Sequence, residues 1–369
     1  MADKVHDISA QAFSKDIFTT ISEPHMQRVY SMYDKVSASI REHLNANHFQ
    51  EHKAIILGPV TDPGIRGSKQ VTVDYYGYEY KTMSSAILYK QLLSAASKKA
   101  GGSGKIYFFA DNIRLEPIET AQTDRHLAEF IQVDIEVADT DHFGAMKVGE
   151  DLVASVCRSM KRYEPELKEI WAFFEPHSTA RGLKKRTELK VPTSPFKKYT
   201  HREVIDLINE KIDSDPELKK HMERLFKFVP KPLSYNSEIP WEYEWLVSSL
   251  HDEPFFIYDY PKGSRGFYDR EYKDKPGLLM DFDLIFPEGY GEAASGAARE
   301  YEINKIIARM KETGEKLEKY KWYLEFLQKN GTATAGFGIG LERTVRYICA
   351  LPSIYLTLPC PKIPGLYSP

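Results

Sequence analysis

Apolar and polar side chains alternate strictly from Ile131 to Val137: Ile131, Val133, Ile135 and Val137 fall on one side, Gln132, Asp134 and Glu136 on the other. A period of two predicts a β-strand with one apolar and one acidic face. Ile106 to Ala110 reads as a second strand, leading to Arg114 and Glu116, whose spacing puts both side chains on one face. A polar loop joins the two strands, so they are expected to pair as an antiparallel hairpin.

Elsewhere the period is helical. Val29, Tyr33, Val36, Ile40 and Leu44 recur every three or four residues and predict an amphipathic helix over 27–49, followed by a strand over 54–60. Residues 1–25, an N-terminal extension, carry one short helical pattern ending at Pro24. Residues 71–83 read as a hairpin turning near Gly77, and Ser84 is expected to cap a helix over 84–93. Helical patterns over 143–163, 199–212, 216–228 and 241–250 predict a helical insertion at about 143–250 within one domain, 26–369. Residues 255–261 form a strand pattern, and two charged helices are expected over 300–311 and 315–329. Near the end, Gly336, Gly338 and Gly340 are spaced by two, so the backbone can approach a ligand closely. Leu341, Val345 and Ile348 then take helical spacing, which puts Arg343 in the first turn of a helix. Leu341 stands where a dinucleotide fingerprint needs its third glycine, so that motif is excluded.

Composition narrows the function classes. With 369 residues the chain can bury one large core or two modest ones. A formal net charge of −3 argues against a dedicated nucleic-acid binder. The stretch from His177 to Arg202 is locally basic, with Arg181, Lys184, Lys185, Arg186, Lys190, Lys197, Lys198 and Arg202 against Glu188; it reads as an exposed insertion or as an RNA contact. Three cysteines without metal-site spacing suit a reducing cytoplasm. No apolar run is long enough to span a membrane, and the N-terminus lacks the apolar centre of a signal peptide. The Gly101–Lys105 run G-G-S-G-K is not a phosphate-binding loop, because Lys99 and Ile106 stand where that motif needs glycine and a hydroxyl residue.

The chemistry concentrates on the hairpin. An acidic strand face beside Arg114, Arg125, His126 and Phe130 suits ATP-dependent activation of a carboxylate, since guanidinium groups bind phosphate, an aromatic ring offers a face to adenine, and carboxylates hold ammonium or Mg²⁺. A solvent-facing hairpin with surface salt bridges would show the same local pattern. The tie is broken by G-F-G-I-G-L-E-R (Gly336 to Arg343). R-x-E followed by R-H-L-A-E-F-I-Q-V-D-I-E, with that late glycine-rich segment, resembles motifs 2 and 3 of class II aminoacyl-tRNA synthetases, in particular the aspartyl/asparaginyl branch, from about Gln27 to the C-terminus. Within that branch it is most similar to the archaeal asparagine synthetases, a synthetase core without the anticodon-reading barrel, and no barrel is expected in residues 1–25.

The resemblance implies an α+β fold, a mainly antiparallel sheet of six or seven strands flanked by helices, and a homodimer. It implies that Arg114 binds the α-phosphate of ATP, that Phe130 and Arg343 sandwich adenine with Glu116 near its edge, and that Arg125 and His126 face the outer phosphates. Glu292 and Ser295, from E-x-x-S-G-x-x-R, match Mg²⁺ ligands. Ser85, Lys90, Gln132, Asp134 and Arg299 would surround the amino acid, expected to be aspartate, with Asp134 or Asp62 on its ammonium. Lys90 and Gln91 match the family's Q-S-P-Q-x-x-K-Q, whereas Ser84, Ala86 and Ile87 depart from it. The expected function is conversion of aspartate and ammonia to asparagine, AMP and pyrophosphate through an aspartyl-adenylate. The alternatives are an aspartyl- or asparaginyl-tRNA synthetase-like enzyme that binds tRNA, and a non-catalytic regulator.

Overall fold

Six antiparallel strands, flanked by a short parallel strand at each edge, form the centre of the molecule. The computed structural model describes residues 17–65, 67–263 and 265–366. Its strands are β1 (Gln50–Glu51), β2 (Leu57–Gly58), β3 (Thr72–Tyr75), β4 (Tyr78–Thr82), β5 (Lys105–Ile113), β6 (Glu129–Ala138), β7 (Lys197–Thr200), β8 (Phe255–Tyr258), β9 (Asp281–Phe286), β10 (Gly291–Ala298) and β11 (Thr334–Gly340). The main sheet has the order β1-β5-β6-β11-β10-β9-β8-β7, and β2-β4-β3 make a small second sheet. This is the α+β, antiparallel-dominated class II synthetase fold.

The alternation on β6 explains the layering. Val133 and Ile135 join Phe337, Ile339, Phe282 and Leu284 in one core with the helices Pro24–Ala46 and His142–Met160. Pro24 starts the first of these helices, at a position where its missing N–H costs nothing. Met26, Val29, Met32, Val36, Ile40 and Leu44 are all buried, each worth about 1.5–3 kcal/mol relative to exposure. The opposite, polar face of the sheet is left for the site, with the helix Ile87–Lys99 over one end.

Several local expectations shift. The helical pattern before Pro24 survives as Ile17–Ser22, and its first part, residues 1–16, lies outside the described residues. The strand expected over 54–60 shortens to β2. Ser84 caps no helix; its hydroxyl and backbone N–H bond Thr61 Oγ1 at 2.8 and 2.7 Å, and the helix begins at Ile87 after Ala86. Of the segment 143–250, the helices His142–Met160 and Glu164–Ala180 belong to the main core, while residues from about 199 build a smaller core around Ile205, Ile208, Tyr243 and Leu246.

The three spaced glycines form a strand, not a loop. Gly336, Gly338 and Gly340 on β11 pair with Glu136, Asp134 and Gln132 on β6. A Cβ on Gly336 would sit 2.1 Å from Glu136 Oε2, and one on Gly338 would sit 2.3 Å from Gln132 Nε2. The glycines therefore make room for polar side chains of the neighbouring strand. Gly336→Ala, which forces a methyl group onto backbone and a buried carboxylate, is expected to cost about 1–3 kcal/mol, measured as a lower midpoint in urea unfolding with an unchanged slope.

Candidate active site

Two adjoining cavities lie on the polar face of the sheet. The first, of about 350 Å³, is lined by Asp62, Ser85, Lys90, Arg114, Gln132, Asp134, Tyr268, Asp269, Asp283, Glu292, Ser295 and Arg299, among others. Arg114, Glu116, Arg125, His126, Phe130, Gln132, Glu292 and Arg343 contribute to the second, of about 230 Å³. Arg114, Gln132, Glu292 and Gly338 line both, so the two form one continuous site. Every site residue expected from the sequence lines one cavity or the other.

The floor of the first cavity is a set of buried ion pairs. Lys90 Nζ donates to Asp134 Oδ1 at 2.7 Å and to the Phe337 carbonyl at 3.0 Å. Arg299 pairs with Glu136 and Asp269, both at 3.2 Å, and donates to the Gly336 carbonyl at 2.9 Å. Lys90 and Arg299 are each only 2 % exposed, so these cations need their partners to offset lost hydration. Asp134 Oδ2 has no hydrogen-bond partner. Burial outweighs Arg299 at Asp269 and pushes its carboxyl up to about 6. Asp62, also raised by burial, accepts from Tyr268 Oη at 2.5 Å and from the Gly64 N–H at 2.7 Å.

In the second cavity the cations are held apart by carboxylates. Arg343 pairs with Glu292 at 3.1 Å, and Arg125 with Glu244 at 2.6 Å. Burial alone would raise Glu292, but Arg343, Arg125 and Arg265 hold it down to about 2, so it is ionised. Arg114 makes no ion pair among the described residues; its Nε donates to the Ser84 carbonyl at 3.0 Å and its guanidinium lies 4.9 Å from the centre of the Phe130 ring. Burial lowers its pKa from the ordinary value. His126 shares a 2.6 Å hydrogen bond with Thr123 Oγ1, and burial, then Arg343 and Arg125, push its pKa down to about 3.

Three contributors carry no sequence signal of their own. Arg265 spans Asp283 at 3.1 Å and Ser295 Oγ at 3.2 Å, over the ring of Tyr260. Glu244 comes from the helical segment and reaches Arg125 only through the fold. Glu342, 1 % exposed, accepts from the Ile131 N–H at 3.1 Å and from Tyr33 Oη at 3.0 Å, tying the first long helix to the strand that carries Phe130. In the basic stretch, Arg181, Lys184, Lys185 and Arg186 are each ion-paired, to Asp124, Asp252, Glu175 and Glu288, so these four present no bare cationic patch.

A carboxylate-activating site on an antiparallel sheet, between a hairpin and a glycine strand that leads into a helix, defines a class II synthetase-type ligase core. The chain belongs to the tRNA synthetases class II (D, K and N), matching that family over residues 11–364. Within it, the chain is similar to the asparagine–tRNA ligase of Thermus thermophilus, 30% identical over 336 residues that span 91% of this chain and 69% of that protein. It is also similar to that of Herpetosiphon aurantiacus, 27% identical over 89% of this chain and 68% of that protein. The crystal structure of asparaginyl-tRNA synthetase from Pyrococcus horikoshii complexed with asparaginyl-adenylate superposes with a TM-score of 0.81 at 26% identity, over 98% of this chain and 74% of that one.

These similarities overturn the expected asparagine synthetase. The relatives and the structural neighbour join asparagine to tRNA, so the expectation of aspartate and ammonia as co-substrates for asparagine synthesis falls, and so does that of tRNA as an unlikely partner. Among the described residues, no helix is long and apolar enough to cross a membrane.

The neutral imidazole of His126 has a measurable consequence. Its folded-state pKa lies below the ordinary 6.5, so the stability it confers is complete above pH 6.5 and is lost as pH falls toward 3. His126→Gln is expected to flatten the decline in unfolding free energy over that range, by up to about 1.4 kcal/mol per pH unit, in chemical denaturation at stepped pH.

Proposed function

We propose that this chain activates asparagine with ATP to give asparaginyl-adenylate and pyrophosphate, and then passes the asparaginyl group to tRNA. The observation that carries the amino acid assignment is the charge of the first cavity. Its two floor cations, Lys90 and Arg299, are already neutralised by Asp134, Glu136 and Asp269, and further carboxylates, Asp62, Glu238, Asp283 and Glu292, line the same space. A side-chain carboxylate on the substrate would add negative charge where no unpaired floor cation receives it, whereas a neutral amide would not. The free Asp134 Oδ2 suits the substrate ammonium, and the fixed Lys90 and Arg299 donors suit the amide oxygen. Ser85 and Gln132 add neutral polar contacts.

ATP would occupy the second cavity with adenine between Phe130 and Arg343, in stacking and cation–π contact, and with Glu116 near its edge. Arg114, at the junction of the cavities and without an ion pair, would hold the α-phosphate. Arg125 and the neutral His126 would take the outer phosphates. The substrate's α-carboxylate attacks phosphorus itself, so the protein needs no nucleophile. Its contribution is alignment and stabilisation of charge on the α-phosphoryl oxygens.

Glu292, Ser295 and Asp283 fit Mg²⁺. They are hard oxygen donors, Glu292 is ionised, and Asp283 Oδ1 has no hydrogen-bond partner. Among the described residues no three His, Cys, Asp or Glu side chains could hold a metal alone, which suits an ion completed by ATP phosphates. When bound, Mg²⁺ would neutralise phosphate charge.

The test is ATP–pyrophosphate exchange by the purified chain with asparagine, aspartate or lysine, followed by charging of tRNA. Asparagine is expected to drive exchange and aspartate to be at least tenfold poorer; faster exchange with aspartate would overturn the amino acid assignment, and ADP as product would overturn the activation chemistry. Arg114→Ala is expected to lower asparagine-dependent exchange on the order of 10²–10³-fold, as for removal of a preorganised donor to transition-state charge, while thermal unfolding stays close to that of the wild type.

A further inference from the structure

A third hollow, of about 460 Å³, lies between the turn Ile118–Thr123 and the helical segment carrying Trp241 and Trp245. Arg125 and His126 line both this hollow and the nucleotide cavity, so the two adjoin. Its size falls within the range of small-molecule sites. Nothing in the proposed activation reaction uses it.

Two features of its wall point to a ligand. The first is Arg346, which lines the hollow, is 6 % exposed and has no carboxylate partner among the described residues. Its Nη2 donates to the Pro352 carbonyl at 3.2 Å, its Nε donates to nothing, and its guanidinium lies 5.3 Å from the centre of the Tyr290 ring. Burial, with Arg125 and Arg343 nearby, pulls its pKa down to about 10. The other two arginines of the wall are neutralised, Arg181 by Asp124 at 2.5 Å and Arg125 by Glu244 at 2.6 Å. A buried guanidinium without a counter-charge costs stability, and an incoming anion would remove that cost.

The second feature is aromatic. Phe226 stands edge-on to Trp241 and to Trp245, with ring centres 4.8 and 5.2 Å apart, and all three line the hollow. Such a wall takes a flat ring by stacking.

We propose that this hollow is a second ligand site that takes a nucleoside monophosphate, free or as a unit of an RNA strand, with the phosphate on Arg346 and the base against the Phe226–Trp241–Trp245 wall. The assignment stands on these residues and does not rest on the amino acid the enzyme activates.

The probe is cytidine 5′-monophosphate, titrated calorimetrically into the full chain with the nucleotide cavity saturated by a non-hydrolysable ATP analogue. Saturable binding is expected for the wild type. Arg346→Met should weaken it about tenfold or more, the loss of one charge-assisted contact, and should unfold at the same or a higher temperature, because an uncompensated charge has been removed. Trp241→Leu, at a half-buried position, should weaken binding about tenfold through lost stacking, and it answers the question if Arg346→Met fails to fold. A trinucleotide C-C-A that competes with the mononucleotide would identify RNA as the occupant; a mononucleotide that binds without such competition would identify a free nucleotide. Absence of saturable binding in the wild type, or unchanged affinity in the folded variants, overturns the proposal.

Discussion

The rest of the structure depends on how β6 and β11 solve a problem of buried charge. Asp134 and Glu136 lie on the middle strands of the sheet, almost without water, and each needs a cation. Lys90 arrives from a helix and Arg299 from just beyond β10. The space they meet in exists because β11 presents glycines opposite these side chains. Removing one member of such a pair leaves the other uncompensated, at about 3–5 kcal/mol. The residues that floor the amino acid cavity therefore also hold three distant parts of the chain together.

The nucleotide side follows a different logic. Arg343, Arg125 and Arg265 are each held by a carboxylate of the chain, and Arg114 alone among the site arginines has no ion pair. The site is thus kept in place before ligand arrives, and phosphate must displace carboxylate from guanidinium. Exchange of one anion for another has a small net energy compared with binding to a bare cation, which suits a site that must release pyrophosphate and AMP. Glu342 supplies the geometry by fixing the backbone next to Phe130 to the long N-terminal helix through Tyr33.

The correction from asparagine synthesis to asparagine–tRNA ligation has a physical explanation. R-x-E, R-H-x-x-E-F and G-x-G-x-E-R are the residues that grip ATP, and any enzyme that makes an amino acid adenylate needs the same grip. They say nothing of what later attacks the adenylate, whether ammonia or a ribose hydroxyl. Nor do they report the net charge of the amino acid cavity, which is set by residues such as Glu238, Glu244 and Asp269.

The sequence by itself determined what depends on local period and local chemistry. The two-residue alternation of β6, its pairing with β5, the first long helix and the helix that carries Arg343 are all legible, because a half-buried strand or helix must repeat its apolar positions at its own period. The residues around ATP are legible for a related reason: they cluster in two short motifs. Tertiary structure alone decided the rest. It made the glycine run a strand that yields space to its neighbour, moved the start of the Lys90 helix to Ile87, drew the helices His142–Met160 and Glu164–Ala180 into the main core, and paired four cations of the basic stretch. It also set Arg265 on Asp283, Glu244 on Arg125 and Arg346 in a hollow without a partner. Charge pairing acts through space over a few ångströms and leaves no period along the chain, so only the folded arrangement reveals which charges meet and which are left over.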